Sequence, residues 1–155
     1  MPKIAVESIP VRTGSSYPAP HDGAMAGRSQ QRLGDAGGLT QFGVNLVRLA
    51  PGSISALRHW HERQDEFLMV TEGALVMVDD TGETHLAPGD FCAFPAGDAN
   101  GHQIVNRSQS PGAFVVVGTR TDTETAWYSD IDMKVEVTEG LMRFLHRDGT
   151  EFQKS

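Results

Sequence analysis

Residues 58–67 read Arg58-His59-Trp60-His61-Glu62-Arg63-Gln64-Asp65-Glu66-Phe67, and the spacing of the two histidines decides how the chain around them folds. Side chains at i and i+2 point the same way on an extended strand. On a helix they would diverge by about 200°. Two imidazoles one residue apart therefore predict a strand with both rings on one face. With a carboxylate a few residues on, at Asp65 or Glu66, they make a group able to chelate a transition metal.

The flanking sequence supports a β context. Short apolar runs rich in Val, Phe and Leu end in turn residues: QFGVNLVRL (41–49) at Pro51-Gly52, EFLMV (66–70) at Glu72-Gly73, ALVMV (74–78) at Asp79-Asp80-Thr81-Gly82, and FCAF (91–94) at Pro95-Ala96-Gly97. AFVVVGTR (113–120) is the last strong run. Short runs punctuated this closely predict an all-β sandwich or barrel. No long segment carries a 3.6-residue apolar period. If Glu66 points inward, Leu68 and Val70 share its face, and Phe67 and Met69 point outward.

The ends of the chain read differently. Residues 1–40 are dense in Gly, Pro, Ser and Ala and predict an N-terminal arm over the barrel, with one helical turn. Their glycines do not form a phosphate loop, because no G-x-x-x-x-G-K-[ST] pattern is present. Residues 41–120 hold the barrel runs. Residues 121–155 form a charged, weakly patterned extension completing the same single domain, with a short strand in MRFLHRDG (142–149) that turns at Asp148-Gly149.

The 155 residues fit one domain. A hydrophobic fraction of 39% provides for a packed core, and the net charge of -7 argues against nucleic acid or an anionic membrane as partner. The lone Cys92 permits no intramolecular disulfide, and its apolar neighbours predict a small buried hydrophobe. The N-terminus lacks an uninterrupted apolar signal region, and no run reaches the ~18 apolar residues of a membrane span. A cytoplasmic location is the expectation.

A third histidine, His102, opens a later run after the turn residues Pro95, Gly97 and Gly101. The whole pattern is Gly52-x6-His59-x-His61-x4-Glu66-x6-Gly73, followed by Gly89-x5-Pro95-x-Gly97-x4-His102-x3-Asn106. It resembles the paired signature motifs of the cupin superfamily. The resemblance spans roughly residues 42–120 and implies a double-stranded β-helix, or jelly-roll barrel. It further implies that His59, His61, Glu66 and His102 ligate one divalent transition metal (Zn, Ni, Fe or Mn) at the barrel mouth. The chain is similar to single-domain bacterial cupins described as sugar-phosphate isomerases by family analogy. The family spacing selects Glu66 over Asp65, because six residues then precede Gly73. The longer Glu side chain also reaches further, and Asp65 should face outward. His102 stands five residues after Gly97 where the family pattern has three, so the 98–101 loop absorbs two extra residues.

His21, His85 and His146 fall outside the pattern and read as ordinary surface or loop histidines. Arg58 has the opposite strand parity to His59 and should point away from the site. Arg48 is the cation weighed for a phosphate contact, although a solvated strand arginine is the favoured reading of it. Tyr128 reads as a packing residue. Three functions share the ligand set: a metal-dependent isomerase or lyase on a small oxygenated molecule, an Fe(II)-dependent dioxygenase, and a non-enzymatic small-molecule binder. The outward apolar set Phe67, Met69, Val76 and Val78 predicts a homodimer.

Overall fold

The computed structural model describes residues 3–152. Its strands are β1 (Arg28–Arg32), β2 (Phe42–Leu49), β3 (His59–His61), β4 (Glu66–Glu72), β5 (Leu75–Asp79), β6 (Gly82–Leu86), β7 (Phe91–Phe94), β8 (Gln103–Val105), β9 (Gly112–Thr119), β10 (Thr123–Tyr128), β11 (Lys134–Thr138) and β12 (Leu141–Leu145). A single-turn helix, α1 (Leu33–Ala36), and a 3-10 turn (Val6–Ser8) are the helical segments among the described residues. The fold is therefore nearly all β, as the run-and-turn pattern implies. No helix among the described residues is long and apolar enough to cross a membrane.

The strands form three antiparallel sheets in the orders β1-β2-β9-β4-β7, β12-β11-β10-β3 and β6-β5-β8. A bridge between His59 and His102 joins the second sheet to the start of β8. The sheets close into a barrel around Val47, Leu49, Leu68, Val70, Leu75, Leu86, Ile104 and Phe114, all buried. Cys92 packs half-buried against this cluster. A second cluster, built on Ala126, Tyr128, Met133 and Val135, holds the C-terminal sheet and takes in Tyr17 from the N-terminal segment.

Parity along β4 matches the sequence reading. Leu68 and Val70 are buried beneath Glu66, whereas Phe67 remains 44% exposed. Of the other outward residues, Val76 is buried, so the apolar outer surface is narrower than its four predicted members.

Two strand regions were not expected. Residues 28–32, inside the predicted arm, form β1 and pair with β2 along their whole length, from Arg28 opposite Leu49 to Arg32 opposite Asn45. The extension after Arg120 supplies β10 and β11, and β10 pairs with β3 so that Ala126 faces His61 and Tyr128 faces His59. The anticipated strand near 142–149 is β12, and the chain turns back at Gly149 through a bond to the His146 carbonyl.

Candidate metal centre

The four candidate ligands come from three places in the fold. His59 and His61 end the three-residue β3, Glu66 begins β4, and His102 sits at the bridge before β8. The His59–His102 bridge is closed by two backbone bonds, His102 N–H to the His59 carbonyl at 2.9 Å and His59 N–H to the His102 carbonyl at 3.2 Å. This brings two imidazoles 43 residues apart in sequence to a ring separation of 5.2 Å, and the His59 and His61 rings stand 4.9 Å apart. The fold thus converts the i, i+2 spacing into adjacent rings.

Glu66 is the hub. One carboxylate oxygen lies 3.5 Å from His61 Nε2 and the other 3.4 Å from His102 Nε2. Ligand atoms of His59, His61 and Glu66 fall within 4.8 Å of one another; His102 stands outside that trio and joins it through Glu66. Ligand atoms held about 2.1 Å from one ion lie about 3–3.4 Å apart, so the Glu66 contacts are near coordination spacing.

The protonation states suit a cation. His59 Nδ1 is 2.8 Å from the Leu57 carbonyl, which can only accept, so Nδ1 carries the proton and Nε2 keeps its lone pair. Burial, helped by repulsion from His61, lowers the His59 pKa to about 4 and keeps the ring neutral. Burial alone would raise the Glu66 pKa. Hydrogen bonds from His102 and His61 outweigh it and hold the carboxyl below the usual carboxylate range. Nδ1 of His61 and Nδ1 of His102 are buried without a hydrogen-bond partner. The acidic group nearest His61 Nδ1 is Glu124, with an oxygen 3.8 Å away. This donor set, three imidazoles and an ionised carboxylate, fits a divalent transition metal.

Surrounding residues set the site's limits. The Glu124 carboxylate is buried and accepts backbone N–H bonds from Glu62 at 2.8 Å and Arg63 at 3.1 Å, which fixes the turn between β3 and β4. No sequence pattern pointed to it. His102 stacks flat on Phe94, with centroids 3.5 Å apart. Asp65 faces away from the centre and accepts the Ala96 N–H. Arg58 also points away, pairing with Asp80 and with Asp130 at 2.7 Å. Tyr128 packs beside His59 and against Tyr17. His146 pairs with Asp132, far from the cluster in the fold.

The four residues line one wall of a cavity of about 610 Å³, whose deeper surface is Leu68, Ile104, Phe114 and Val116. A smaller cavity of about 300 Å³ lies behind the Phe94–His102 stack and is lined by Asp98 and Asn100 of the lengthened loop. Arg48 reaches neither cavity. It lies on the opposite face of β2 from the cavity-lining Gly43, Asn45 and Val47, and donates to Gln31 at 2.6 Å.

Comparison with known proteins places this geometry in a family. The family model described as a cupin domain matches residues 45–118. A sugar phosphate isomerase from a cupin superfamily, of Silicibacter pomeroyi, is 60% identical, with 98% of this chain and 97% of that chain covered and a TM-score of 0.96. The chain belongs to the cupin superfamily. A second cupin-like structure, a proposed sugar phosphate isomerase of Acidithiobacillus ferrooxidans, is 26% identical over 83% of this cupin and 81% of that chain, with a TM-score of 0.74. A polyketide cyclase of Streptomyces resistomycificus, 20% identical over 77% of this cupin and 79% of that chain at a TM-score of 0.64, shares the fold. No curated protein matches this cupin. Cupins commonly bind a metal, and this one carries a His-His-Glu cluster that lines its cavity.

Proposed function

We propose that this cupin is a metal-dependent enzyme acting on a small oxygenated molecule in the manner of a sugar-phosphate isomerase, with His59, His61, Glu66 and His102 as the ligands of one divalent ion. The observation that carries the reading is the gathering of the four side chains in the lining of one half-open cavity. The 60% identity to a protein described as a sugar phosphate isomerase supports the substrate class.

A bound divalent ion supplies Lewis acidity, polarising a carbonyl or acidifying a water. The chain's own residues prepare for this. The Leu57 carbonyl fixes the tautomer and tilt of His59. Glu66 holds its negative charge between two imidazoles and offsets part of the ion's charge. Leu68, Ile104, Phe114 and Val116 keep the inner cavity apolar, which strengthens electrostatic contacts made there.

Elemental analysis of purified protein, joined to turnover of a panel of aldose and ketose phosphates, tests the reading. It expects about one transition metal per chain and turnover that disappears in His59→Ala. A metal-free protein inert across the panel after loading with Zn, Ni, Fe and Mn would overturn it. Stacked Phe67 and Phe91, 44% and 61% exposed, support the homodimer as the state in solution. A mass of 16.8 kDa from solution scattering would contradict that.

A further inference from the structure

We propose that Arg28 is the anion anchor of the cavity and holds the phosphoryl group of a small sugar phosphate across from the metal cluster; the inference rests on the functional reading above. It starts from the alternation along β1. Arg28, Gln30 and Arg32 share one strand face, and all three line the 610 Å³ cavity that His59, His61, Glu66 and His102 also line. The intervening Gln31 points the other way and is buried against the Val6 and Ile9 carbonyls.

The three basic groups in the cavity are not equivalent. Arg32 and Arg120 are neutralised by Asp35, Arg32 at 3.7 Å and Arg120 closer. Arg28 forms no ion pair among the described residues. Its Nη2 donates to Gln30 Oε1 at 2.8 Å, and its Nε is buried with no partner at all. Burial lowers its pKa, and the Glu66 carboxylate pulls the other way without coming within ion-pair distance. A half-buried cation whose Nε is shut off from water and that has no contacting counter-ion costs stability and is normally paired. A ligand oxyanion would complete it, because a guanidinium offers parallel N–H donors that match phosphate oxygens.

The neighbours fit the same ligand. The contact with Arg28 occupies the oxygen of the Gln30 side chain, which turns its amide nitrogen into a free donor. Asn45, across β2 on the same cavity wall, has a side chain with no hydrogen bond among the described residues. Arg28 and the Gln30 amide are adjacent donors for a group with several acceptor oxygens, and Asn45, opposite Arg32 at the other end of β1, is a further free donor in the same cavity. A phosphoryl group held there would leave the sugar's carbonyl end free to face the metal cluster.

Calorimetry with inorganic phosphate, methyl phosphate and acetate on the metal-loaded protein tests the anchor, using Arg28→Gln, Arg28→Lys and the rim control Arg120→Gln. The expected result is phosphate binding that weakens at least about 30-fold in Arg28→Gln, recovers partly in Arg28→Lys, and changes less than about 3-fold in Arg120→Gln. Acetate should bind more weakly than either phosphate. Thermal melts give a second readout. Phosphate should raise the midpoint of the wild type and not that of Arg28→Gln, while the ligand-free midpoint of Arg28→Gln should equal or exceed the wild type because an uncompensated charge is gone. Phosphate affinity unchanged in Arg28→Gln overturns the anchor, as does a preference for acetate or a fall in the ligand-free midpoint without loss of phosphate binding. Sugar-phosphate turnover by Arg28→Gln at unchanged KM removes the anchor and leaves the functional reading intact. Arg28-dependent phosphate binding without turnover of any sugar phosphate removes the functional reading and leaves the anchor.

Discussion

Strand β4 passes from the most polar to the most apolar part of the barrel within five residues. At its start Glu66 sits among three imidazoles; at Leu68 and Val70 the same face is buried in the aliphatic cluster. The mouth and the floor are therefore built on one strand face but under opposite rules. The floor gains stability from each buried methylene. The mouth gathers an ionised carboxylate, a half-buried guanidinium and unpartnered ring nitrogens, each of which costs stability unless a ligand satisfies it. Polarity that weakens the unliganded protein is what marks the mouth as the candidate site.

The sharpest way to break this comparison is to alter each region and read both properties. Glu66→Ala should lower metal content from about one ion per chain to under about a tenth and abolish turnover. The melting midpoint of metal-free protein should move by only a few degrees, because a costly buried charge leaves with the side chain. Leu68→Ala should do the reverse. A cavity in the floor costs about 2–5 kcal/mol, or about 5–15 °C for a chain of this size, while metal content per folded molecule stays unchanged. Loss of metal in Leu68→Ala under conditions where the protein remains folded would show that the mouth is not separable from the floor.

A smaller effect is expected from the support behind the ligands. Glu124→Gln keeps the shape but removes the charge facing His61 and weakens the bonds that fix the β3–β4 turn. Metal affinity, measured by chelator competition, should fall about 10–100-fold. An unchanged affinity would mean that Glu124 serves only the backbone turn.

The difference between the two regions also explains which parts of the molecule were legible in sequence. The floor is written in alternating apolar residues, so β2, β4, β5, β7 and β9 fall within two residues of the runs that predicted them. The clustering of His59, His61, Glu66 and His102 was legible because a strand forces i and i+2 onto one face and because the motif resembles a known family. What stayed hidden carries polar residues inward. β1 reads Arg-Ser-Gln-Gln-Arg, with one face turned to the cavity and Gln31 on the other bonded to arm carbonyls, so neither face shows apolar alternation. β10 places Glu124 where a core residue would stand, because the turn after His61 needs its carboxylate. Arg48 is exposed, as the favoured reading of it as a solvated strand arginine has it, and the phosphate contact weighed for it fails because parity alone does not say which face of β2 is inside.

The mildest perturbation tests how finely the mouth is set by backbone approach. Gly101 precedes His102, and a Cβ there would lie 1.9 Å from Ser129 Oγ, 3.1 Å from Ser129 Cβ and 3.6 Å from the His59 carbonyl carbon. Ser129 is itself held by its N–H bond to the Arg58 carbonyl, so the serine hydroxyl can rotate away but its backbone cannot easily retreat. Gly101→Ala should therefore cost about 1–3 kcal/mol by overpacking and weaken metal affinity by shifting His102 against His59. Ser129→Gly alone should have a small effect, and the double variant should recover most of both losses, giving a favourable coupling between the two positions. Recovery of stability without recovery of metal affinity would mean that His102 is positioned by its stack on Phe94 and not by the strand bridge, which would place the rigidity of the mouth in side-chain packing, as in the floor.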